Sequence, residues 1–539
     1  MDIALNLKQK IQNALSKLGQ EVSLNDIIIE KSKDTAHGDY ASNVAMKFSR
    51  LFSKSPRDVA ALIIENIDLE GIDKIEIAGP GFINIFMKND SLQVFVKKII
   101  DEDENFGRSP RKNQKINVEF VSANPTGLLH VGTARGAAIG DSLCRILDFA
   151  GYDVTREYYI NDAGSQITNL ALSIQARYKE LFGIEAEIPE DGYAGQDIID
   201  IAKQIKEEIG DEALKMDDPV SYFKERGMKI ELDRIIADLA TFRVKHDVFS
   251  SEKAIRANNA IEKEIEFLKD YVYEENDALY LKTTAFIDDK DRVIRKGNGD
   301  YTYFMPDICY HVNKMSRGFD QLIDVLGADH HGYINRMKSA LMMHGYKEDA
   351  LHIELIQMVR FLKDGQEFKA SKRRGDAITL RDVCEEVGVD AMRYFFAMRA
   401  ASTHLDFDMD LAIEQSSNNP VYYAQYAHAR LCSILDQGKD IPIDESAKNL
   451  KEVSELALLK HLADFGNVVT DAAKDKAPYK VANYIHALAE LVHAFYNECR
   501  VVDRENLEVS GSRLALVKAS KIVLKNALAL IGVSAPIHM

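Results

Sequence analysis

The segment at residues 116–147 restricts the fold of this chain more than any other stretch. Apolar residues alternate with polar ones from Ile116 to Phe120, which predicts a strand, and Pro125 and Gly127 end that strand. Helical spacing follows from about residue 131 to residue 150. Ligands of open α/β sheets bind at the carboxyl ends of strands, and the free N–H groups of a helix N-terminus suit phosphate. The segment therefore predicts a strand, a turn and a helix that face a nucleotide.

Glycines recur every four residues along this helix, at Gly132, Gly136 and Gly140. A glycine inside a helix costs about 0.5–1 kcal/mol, so a bare face needs a reason. Close approach to a nucleotide and tight packing of the helix on its sheet both remain open. His130 in the turn is able to donate to a phosphate, and a purely structural histidine is the alternative.

Strand and helix patterns alternate on both sides of this unit, which predicts an α/β domain with a parallel sheet. A charged stretch at about 183–300 has helical spacing and is interpreted as an insertion into that domain. The strand-like runs are Ile116–Val121, Leu322–Leu326 and His352–Phe361.

Two further domains are expected on either side of this α/β domain. Residues 1–107 predict a smaller α/β domain, which ends at a polar and basic linker, residues 106–115. The central domain then spans 108–402. From 403 to 539 the strand signals vanish, and helical periodicity predicts an all-α helical bundle.

Composition excludes several classes of protein. The net charge of −17 argues against indiscriminate binding of nucleic acid, although local basic patches leave room for one specific RNA partner. No apolar run approaches the roughly 20 residues that cross a bilayer, and the N-terminus lacks a signal-peptide pattern, so a cytoplasmic protein is expected. Neither a disulfide framework nor a structural metal is expected from the widely spaced cysteines, Cys144, Cys309, Cys384, Cys432 and Cys499.

A second basic segment lies at residues 360–380, RFLKDGQEFKASKRRGDAITL. Lys369 and Lys372 flank Ala370 and Ser371 in a short polar stretch. Cations on such a loop can stabilise the charge that develops on a departing pyrophosphate. Taken alone this pattern is weak, because basic surface loops are common.

The two segments together resemble the two signatures of class I aminoacyl-tRNA synthetases, and SANPTGLLHVGT is most similar to the arginyl-tRNA synthetase family. The resemblance implies a Rossmann-like catalytic domain in which His130, Gly132 and Thr133 bind ATP. It likewise implies that Lys369, Ser371 and Lys372 bind the triphosphate, with His130, Lys369 and Lys372 as the catalytic residues. Thr133 stands where the family usually has a second histidine, and Ala370 stands where it has methionine.

The same resemblance implies a pocket for the amino acid. A carboxylate in a pocket can accept two parallel bonds from a guanidinium, and Asp307, four residues after Tyr303, matches the family position for that carboxylate. A salt bridge on a helix surface is the alternative for Asp307. The resemblance adds Glu119, Asn124 and His330 to the arginine site, and it places Gly327 and Asp329 near the ribose of ATP. A metal site formed by Asp329, His330 and His331 is a competing hypothesis.

Both flanking domains carry further resemblance. NPVYYAQYAHARL at 419–431 is similar to the anticodon-binding domain of the family, and helical spacing puts Tyr423, Tyr426 and Arg430 on one face. Exposed aromatic rings and arginine can stack on RNA bases, whereas an aromatic core stripe is the alternative. Met539 is expected at the anticodon surface, and the N-terminal domain is expected to contact the elbow of the tRNA.

The resemblance implies ATP-dependent activation of L-arginine to arginyl-adenylate, followed by transfer to the 3′-terminal adenosine of tRNA(Arg). ATP with Mg²⁺, arginine and tRNA(Arg) are the expected ligands, and a monomer is expected. Two alternatives remain: a nucleotidyltransferase of related fold that acts on a small molecule, and a non-catalytic tRNA-binding protein. The first leaves the tyrosine-bearing helical domain unexplained, and the retained lysines and Asp307 argue against the second.

Overall fold

The computed structural model describes residues 3–32, 37–368 and 378–539 of the chain. Its first strands form an antiparallel sheet in the order β1–β2–β4–β3. In chain order the N-terminal elements are α1 (Ile3–Lys17), β1 (Glu30–Lys31), β2 (Tyr40–Ser42), α2 (Val44–Phe52), α3 (Pro56–Asn66), β3 (Ile72–Ala78), β4 (Phe82–Met87) and α4 (Asn89–Glu102).

The central part of the chain alternates strands and helices around a five-stranded sheet. Its elements are β5 (Lys115–Glu119), α5 (Ala134–Phe149), β6 (Asp153–Ile160), α6 (Ser165–Glu180), α7 (Gln196–Ile209), α8 (Pro219–Thr241), β7 (Val248–Ser251), α9 (Glu252–Ile255), α10 (Ala260–Phe267), β8 (Val272–Glu275), β9 (Ala278–Leu281), β10 (Arg292–Arg295), α11 (Phe304–Ser316), β11 (Gln321–Gly327), α12 (Ile334–Met343) and β12 (Leu351–Ile356).

The sheet confirms the predicted α/β class. Its strands run in the order β12–β11–β5–β6–β7, and every neighbouring pair is parallel. The chain moves from β5 to β6 and β7 on one side and then returns to β11 and β12 on the other. The order therefore reverses between β5 and β11, and the crevice at their carboxyl ends is where an open parallel sheet binds its ligand.

Helices cover this sheet on both faces, which explains the burial of polar residues in β5. Helix α5 packs with α14 (Val389–Ala397) and α18 (Phe465–Asp475) on one face, and α11 and α12 share a core with β11 and β12 on the other. The alternation in β5 suggested one polar face, yet residues 116–119 are all buried. A buried polar side chain needs a hydrogen-bond partner, and the amide of Asn117 donates to Glu157 Oε2 at 2.6 Å.

The C-terminal part is helical from residue 420 onward. Helix α16 begins at Pro420, where Asn419 caps its first turn through a bond from Val421 N. The elements after β12 are β13 (Val359–Lys363), β14 (Gln366–Glu367), α13 (Leu380–Val387), α14 (Val389–Ala397), β15 (Leu405–Asp408), α15 (Met409–Ile413), α16 (Pro420–Gln437), α17 (Val453–Ala463), α18 (Phe465–Asp475), α19 (Tyr479–Glu498) and α20 (Leu507–Leu530).

Three expectations about these elements were wrong. The stretch 183–300 is not one insertion, because β7 within it pairs with β6 in the central sheet, while α7 and α8 pack on α6 and β8–β10 form a separate antiparallel sheet. The run His352–Phe361 is two strands, since Gln357 N leaves the sheet to bond Ala401 O at 2.9 Å. Strand structure also continues past residue 403, because β15 pairs in parallel with β13. Strands of four residues carry too little periodicity to be found from sequence.

Of the two roles left open for the glycine row, the structure supports packing at Gly140, and close approach to a nucleotide stays a prediction. A Cβ on Gly140 would lie 2.4 Å from Cγ of Phe120, whereas a Cβ on Gly136 would meet only Ile356 Cγ1, at 4.0 Å. Gly140 is therefore required for packing on the sheet, whereas the helix surface at Gly136 has room for a small side chain.

Replacing Gly140 by alanine is expected to lower the free energy of unfolding by about 1–3 kcal/mol, because overpacking forces a shift of helix or ring. Gly136→Ala is the matched control, and it should be neutral or stabilising by up to about 1 kcal/mol. Urea unfolding of both variants is the measurement. Equal losses in the two would contradict this assignment.

Candidate active site

The turn after β5 has an unusual backbone. Val121 and Ser122 have φ angles of 72° and 41°, in the left-handed region that β-branched and other non-glycine residues rarely adopt. Ser122 Oγ donates to Glu119 Oε1 at 2.9 Å and accepts from Tyr159 N at 3.1 Å. Such conformations cost on the order of 1–3 kcal/mol and cluster at functional sites, where the surroundings enforce them.

His130 is exposed at the end of this turn, before a 3₁₀ turn that leads into α5. Its Nδ1 accepts from Gly132 N at 2.9 Å, so the proton of a neutral ring is on Nε2, which is free to donate outward. The hydroxyl of Thr133 donates to His130 O at 2.7 Å and is therefore directed into the turn. Among the predicted phosphate-facing residues that the structure describes, Gly132 has no side chain, the Thr133 hydroxyl bonds within the turn, and His130 is exposed.

The His130 segment is paired with the chain that follows the basic loop. Val131 N donates to Ile378 O at 2.9 Å, and Leu380 N donates to Leu129 O at 2.8 Å. The predicted ATP residues Lys369, Ser371 and Lys372 lie outside the described residues. Ile378, the first described residue after them, is hydrogen-bonded to Val131, next to His130.

Helix α11 presents three ionisable side chains to the carboxyl ends of β5 and β11. Asp307, His311 and Lys314 are spaced by four and three residues, which places them on one helical face. Lys314 has no solvent exposure, and its ammonium donates to Glu119 Oε2 and, at 2.9 Å, to Asp324 Oδ1. Glu119, predicted to bind the substrate's ammonium, is thus already paired with an ammonium of the protein.

His311 completes a charge-balanced cluster with Glu119, Lys314 and Asp324. Its Nε2 lies 2.6 Å from Asp324 Oδ2 and its Nδ1 lies 2.7 Å from Asp307 O, and both oxygens are acceptors, so both nitrogens carry protons. Burial opposes the charged imidazole, but Asp324 outweighs burial and raises the pKa of His311. Burial of Asp324 opposes its charged form, but Lys314 and His311 together outweigh this and lower the pKa of Asp324. Two cations and two anions therefore cancel within this cluster.

Asp307 is the carboxylate that this cluster leaves without a cation. It is half-buried, and its Oδ2 accepts from the hydroxyl of Tyr333. Burial raises the pKa of Asp307 to about 6, partly offset by the bond from Tyr333. In the described parts of the chain Asp307 forms no salt bridge, and a desolvated carboxylate without one favours a cationic guest, which is the property predicted for the arginine site.

The other predicted pocket residues are less closely gathered. Tyr303 is 82% exposed at the start of α11, and the amide of Asn124 donates to Gln166 Oε1 at 2.7 Å. The ring of His330 meets that of Tyr333 edge-on with centroids 6.1 Å apart, so His330 approaches Asp307 through Tyr333. Tyr333, and not Tyr303 or Asn124, is the described side chain that donates to the Asp307 carboxylate.

Sequence reasoning missed Lys314, Asp324, Tyr333 and Glu157. Asp324 interrupts the apolar strand β11, and a charge inside a buried strand signals pairing or function. Lys314 is seven residues after Asp307 on the same helical face, which was a usable signal. Glu157 accepts from four side chains, all of them at least 40 residues away in sequence, so no local pattern revealed it; its donors are Asn117, Ser250, Tyr310 and Arg317.

The residues around Asp329 were also a candidate metal site. Asp329 Oδ2 and His330 Nε2 lie 3.7 Å apart, and both side chains are well exposed. Over residues 3–32, 37–368 and 378–539, no group of three or more histidine, cysteine, aspartate or glutamate side chains could hold a metal ion. Gly327 ends β11 directly before this segment, at the carboxyl edge of the sheet.

A second surface with aromatic side chains lies on α16 and α19. Tyr426 is 40% exposed and stacks with His493 at 5.9 Å and with Tyr422 at 6.2 Å. Tyr423 is half-buried, with its ring 4.5 Å from that of His493, so it is partly a packing residue.

The remaining predicted RNA-binding residues have different settings. The guanidinium of Arg430 lies 4.2 Å from the ring centroid of Tyr496, and Met539 is 53% exposed. Tyr426 and Met539 therefore present apolar surface to solvent. In the described parts of the chain, no helix is both long and apolar enough to cross a membrane.

The fold and the crevice agree with the class of protein that three family models define. Residues 5–87 match the arginyl-tRNA synthetase N-terminal domain, residues 95–431 match the class I (R) tRNA synthetase catalytic domain, and residues 424–539 match the DALR anticodon-binding domain. The chain is thus a class I aminoacyl-tRNA synthetase in architecture.

Individual relatives narrow the class to one family. An arginine–tRNA ligase from Bacillus subtilis is 50% identical over 99% of this chain and 98% of its own length, and one from Anoxybacillus flavithermus is 49% identical over 100% of both chains. The arginyl-tRNA synthetase structure from Thermus thermophilus, at 22% identity, has the same fold over 100% of both chains with a TM-score of 0.79. This chain belongs to the arginyl-tRNA synthetase family.

Proposed function

We propose that this chain activates L-arginine with ATP and transfers the arginyl group to the 3′-terminal adenosine of tRNA(Arg). The observation that carries the proposal is Asp307, a desolvated carboxylate without a cation, beside a cluster whose own charges cancel at the switch point of the sheet. A permanently charged, planar guanidinium is the guest that best fits such a carboxylate.

Two displacement steps make up the reaction. An oxygen of the arginine carboxylate attacks the α-phosphorus of ATP, and pyrophosphate leaves. A ribose hydroxyl of the terminal adenosine then attacks the arginyl carbonyl, and AMP leaves with the bonding electrons. Neither step needs a covalent bond to the protein, so positioning and stabilisation of developing charge supply the catalysis.

The chain's own residues divide between the two substrates. His130 donates from Nε2 to the phosphates, Gly132 and Thr133 shape the turn, and Lys369, Ser371 and Lys372 bind the triphosphate and stabilise the leaving pyrophosphate. We propose that Gly327 and Asp329 lie next to the ribose of ATP. Magnesium would enter with ATP, held chiefly by phosphate oxygens, and would neutralise part of their charge.

Arginine is proposed to lie with its guanidinium at Asp307 and its amino and carboxylate end near Asn124. Glu119 contributes as the partner of Lys314, and His330 and Tyr303 close the pocket. A monomer that acts in the cytoplasm, as expected from the sequence, is part of this proposal.

Arginine-dependent exchange of pyrophosphate into ATP, with and without tRNA(Arg), tests the function. The proposal expects exchange with arginine in at least one of the two conditions. Exchange that another small molecule supports and arginine does not would favour a nucleotidyltransferase. Binding of tRNA without exchange under either condition would favour the non-catalytic alternative.

The helical domain is proposed to bind the anticodon through Tyr423, Tyr426, Arg430 and Met539, while the N-terminal domain contacts the tRNA elbow. The support is the exposed aromatic surface on α16, since base–aromatic stacking contributes about 1–3 kcal/mol per base.

Tyr426→Ala is expected to raise the KM for tRNA(Arg) by about 5–100-fold, because it removes that stacking, and to leave the KM for arginine unchanged. The control is Tyr479→Ala, which removes a half-buried tyrosine at the start of α19, 14 residues before His493. Steady-state aminoacylation is the measurement. A tRNA KM that is the same in both variants would contradict the assignment.

A further inference from the structure

Tyr333, just before α12, is held on several sides next to the proposed guanidinium site. Its hydroxyl donates to Asp307 Oδ2. Its ring meets the ring of Phe304 edge-on at 6.2 Å and that of His330 at 6.1 Å. The guanidinium of Arg336 lies 5.1 Å from the ring centroid. These contacts leave the phenol little freedom to turn away from Asp307.

A fixed phenol fixes the carboxylate to which it donates. Each carboxylate oxygen can accept two bonds, so Tyr333 occupies one acceptor position on Oδ2 and leaves Oδ1 and the second position on Oδ2 for a guest. Two parallel N–H bonds from a guanidinium require the two groups to be coplanar, whereas an ammonium has no such requirement. The orientation of the carboxylate plane therefore discriminates between the two kinds of cation.

We propose that Tyr333 is a positioning residue for specificity, which holds the Asp307 carboxylate in the plane that accepts a guanidinium in preference to an ammonium. The inference deepens the proposed function and rests on Asp307 as the arginine carboxylate. In this proposal Tyr333 acts through Asp307 and does not itself bind the substrate.

The charged groups that face Asp307 shift its pKa, and this pKa is a second measurable property of the Tyr333–Asp307 pair. Glu119 from β5 and Glu252 from α9 raise the pKa of Asp307, while His311 on its own helix lowers it. Tyr159 from β6 also faces Asp307 and Glu252, and Arg336 from α12 lies across Tyr333. Since the Tyr333 hydroxyl lowers the pKa of Asp307, its removal raises that pKa and leaves more of the carboxyl protonated near neutral pH.

Tyr333→Phe in the full chain tests the inference through arginine-dependent exchange at pH 6.5 and pH 8.5. We expect the arginine KM to rise at least about 10-fold at pH 8.5 and further at pH 6.5, with the KM for ATP unchanged. Agmatine, which carries a guanidinium, and 1,5-diaminopentane, which carries ammonium groups, serve as competing inhibitors. In the variant, the inhibition constant of 1,5-diaminopentane divided by that of agmatine should fall at least about fivefold.

Two further variants separate the hydrogen bond from a general loss of structure. Tyr273→Phe removes a hydroxyl that donates to Asp291 at 3.2 Å in the separate sheet β8–β10, and it should leave all these values unchanged. Tyr333→Gln keeps a donor for Asp307 and should restore part of the selectivity.

The outcomes distinguish this inference from the function on which it rests. A wild-type protein without arginine-dependent exchange would overturn the proposed function. An active wild type with an unchanged inhibitor ratio in Tyr333→Phe, or with Tyr333→Phe and Tyr333→Gln equally impaired, would overturn the role of Tyr333 alone.

Discussion

Replacing Asp307 by asparagine is expected to raise the KM for arginine at least about 30-fold, while the KM for ATP changes little. Truncating one partner of a desolvated charge pair costs about 2–5 kcal/mol, and 1.4 kcal/mol corresponds to a factor of ten. Asparagine keeps the shape and the bond from Tyr333 but removes the charge that the guanidinium needs. Steady-state pyrophosphate exchange at saturating ATP measures the effect.

The matched control is Asp300→Asn, which removes an exposed carboxylate that accepts from Asn298 at 2.8 Å. Its arginine KM should equal that of the wild type. In the wild type the arginine KM should rise as the pH falls through about 6, because Asp307 binds a cation only when ionised. An unchanged KM in Asp307→Asn would mean that the guanidinium lies elsewhere.

Replacing Lys314 by methionine is expected to lower the free energy of unfolding by about 3–5 kcal/mol. The substitution leaves the carboxylates of Glu119 and Asp324 buried with one cation, His311, between them, and an uncompensated buried charge is costly. Urea unfolding, followed at the transition that includes the central sheet, measures the loss. Arginine activation should fall as well, because β5 and β11 are held together at the crevice by this lysine.

Lys338→Met is the control for Lys314→Met, since Lys338 pairs with Glu348 at 3.5 Å on the surface, where such pairs contribute about 0–1 kcal/mol. Adding Glu119→Gln to Lys314→Met should recover part of the loss, because it removes the negative charge that His311 does not balance. Equal effects of Lys314→Met and Lys338→Met would contradict a charge-balanced cluster.

The sequence predicted the crevice well and its interior poorly, for physical reasons. The strand, turn and helix at 116–147 form from local propensities and sit at the switch point, as predicted, because strand polarity fixes which end carries the turn. Asp307 was singled out through the family motif, and its role in binding arginine stays a prediction. Its partner Tyr333 lies 26 residues away in sequence, and the contact of the neighbouring Lys314 with Glu119 joins residues 195 apart. Such pairings depend on tertiary packing that no local pattern encodes.

The errors about the fold have a similar origin. The edge strand β7 was hidden in a charged helical stretch because four residues at the rim of a sheet need not be apolar. Asn117 and Glu119 of β5 are buried and bond side chains from β6 and α11, whereas Asn117 Oδ1 has no hydrogen-bond partner among the described residues. Buried polar groups require partners, so their presence in a strand predicts a network without naming its members.

The most direct test of the central claim is the attachment of labelled L-arginine to tRNA(Arg) by the purified chain in the presence of ATP and Mg²⁺. The account predicts acid-precipitable arginyl-tRNA that does not form when the terminal ribose of the tRNA has been oxidised with periodate beforehand, and that is reduced by Asp307→Asn. A folded wild-type chain that binds tRNA(Arg) and yields no arginyl-tRNA would contradict it.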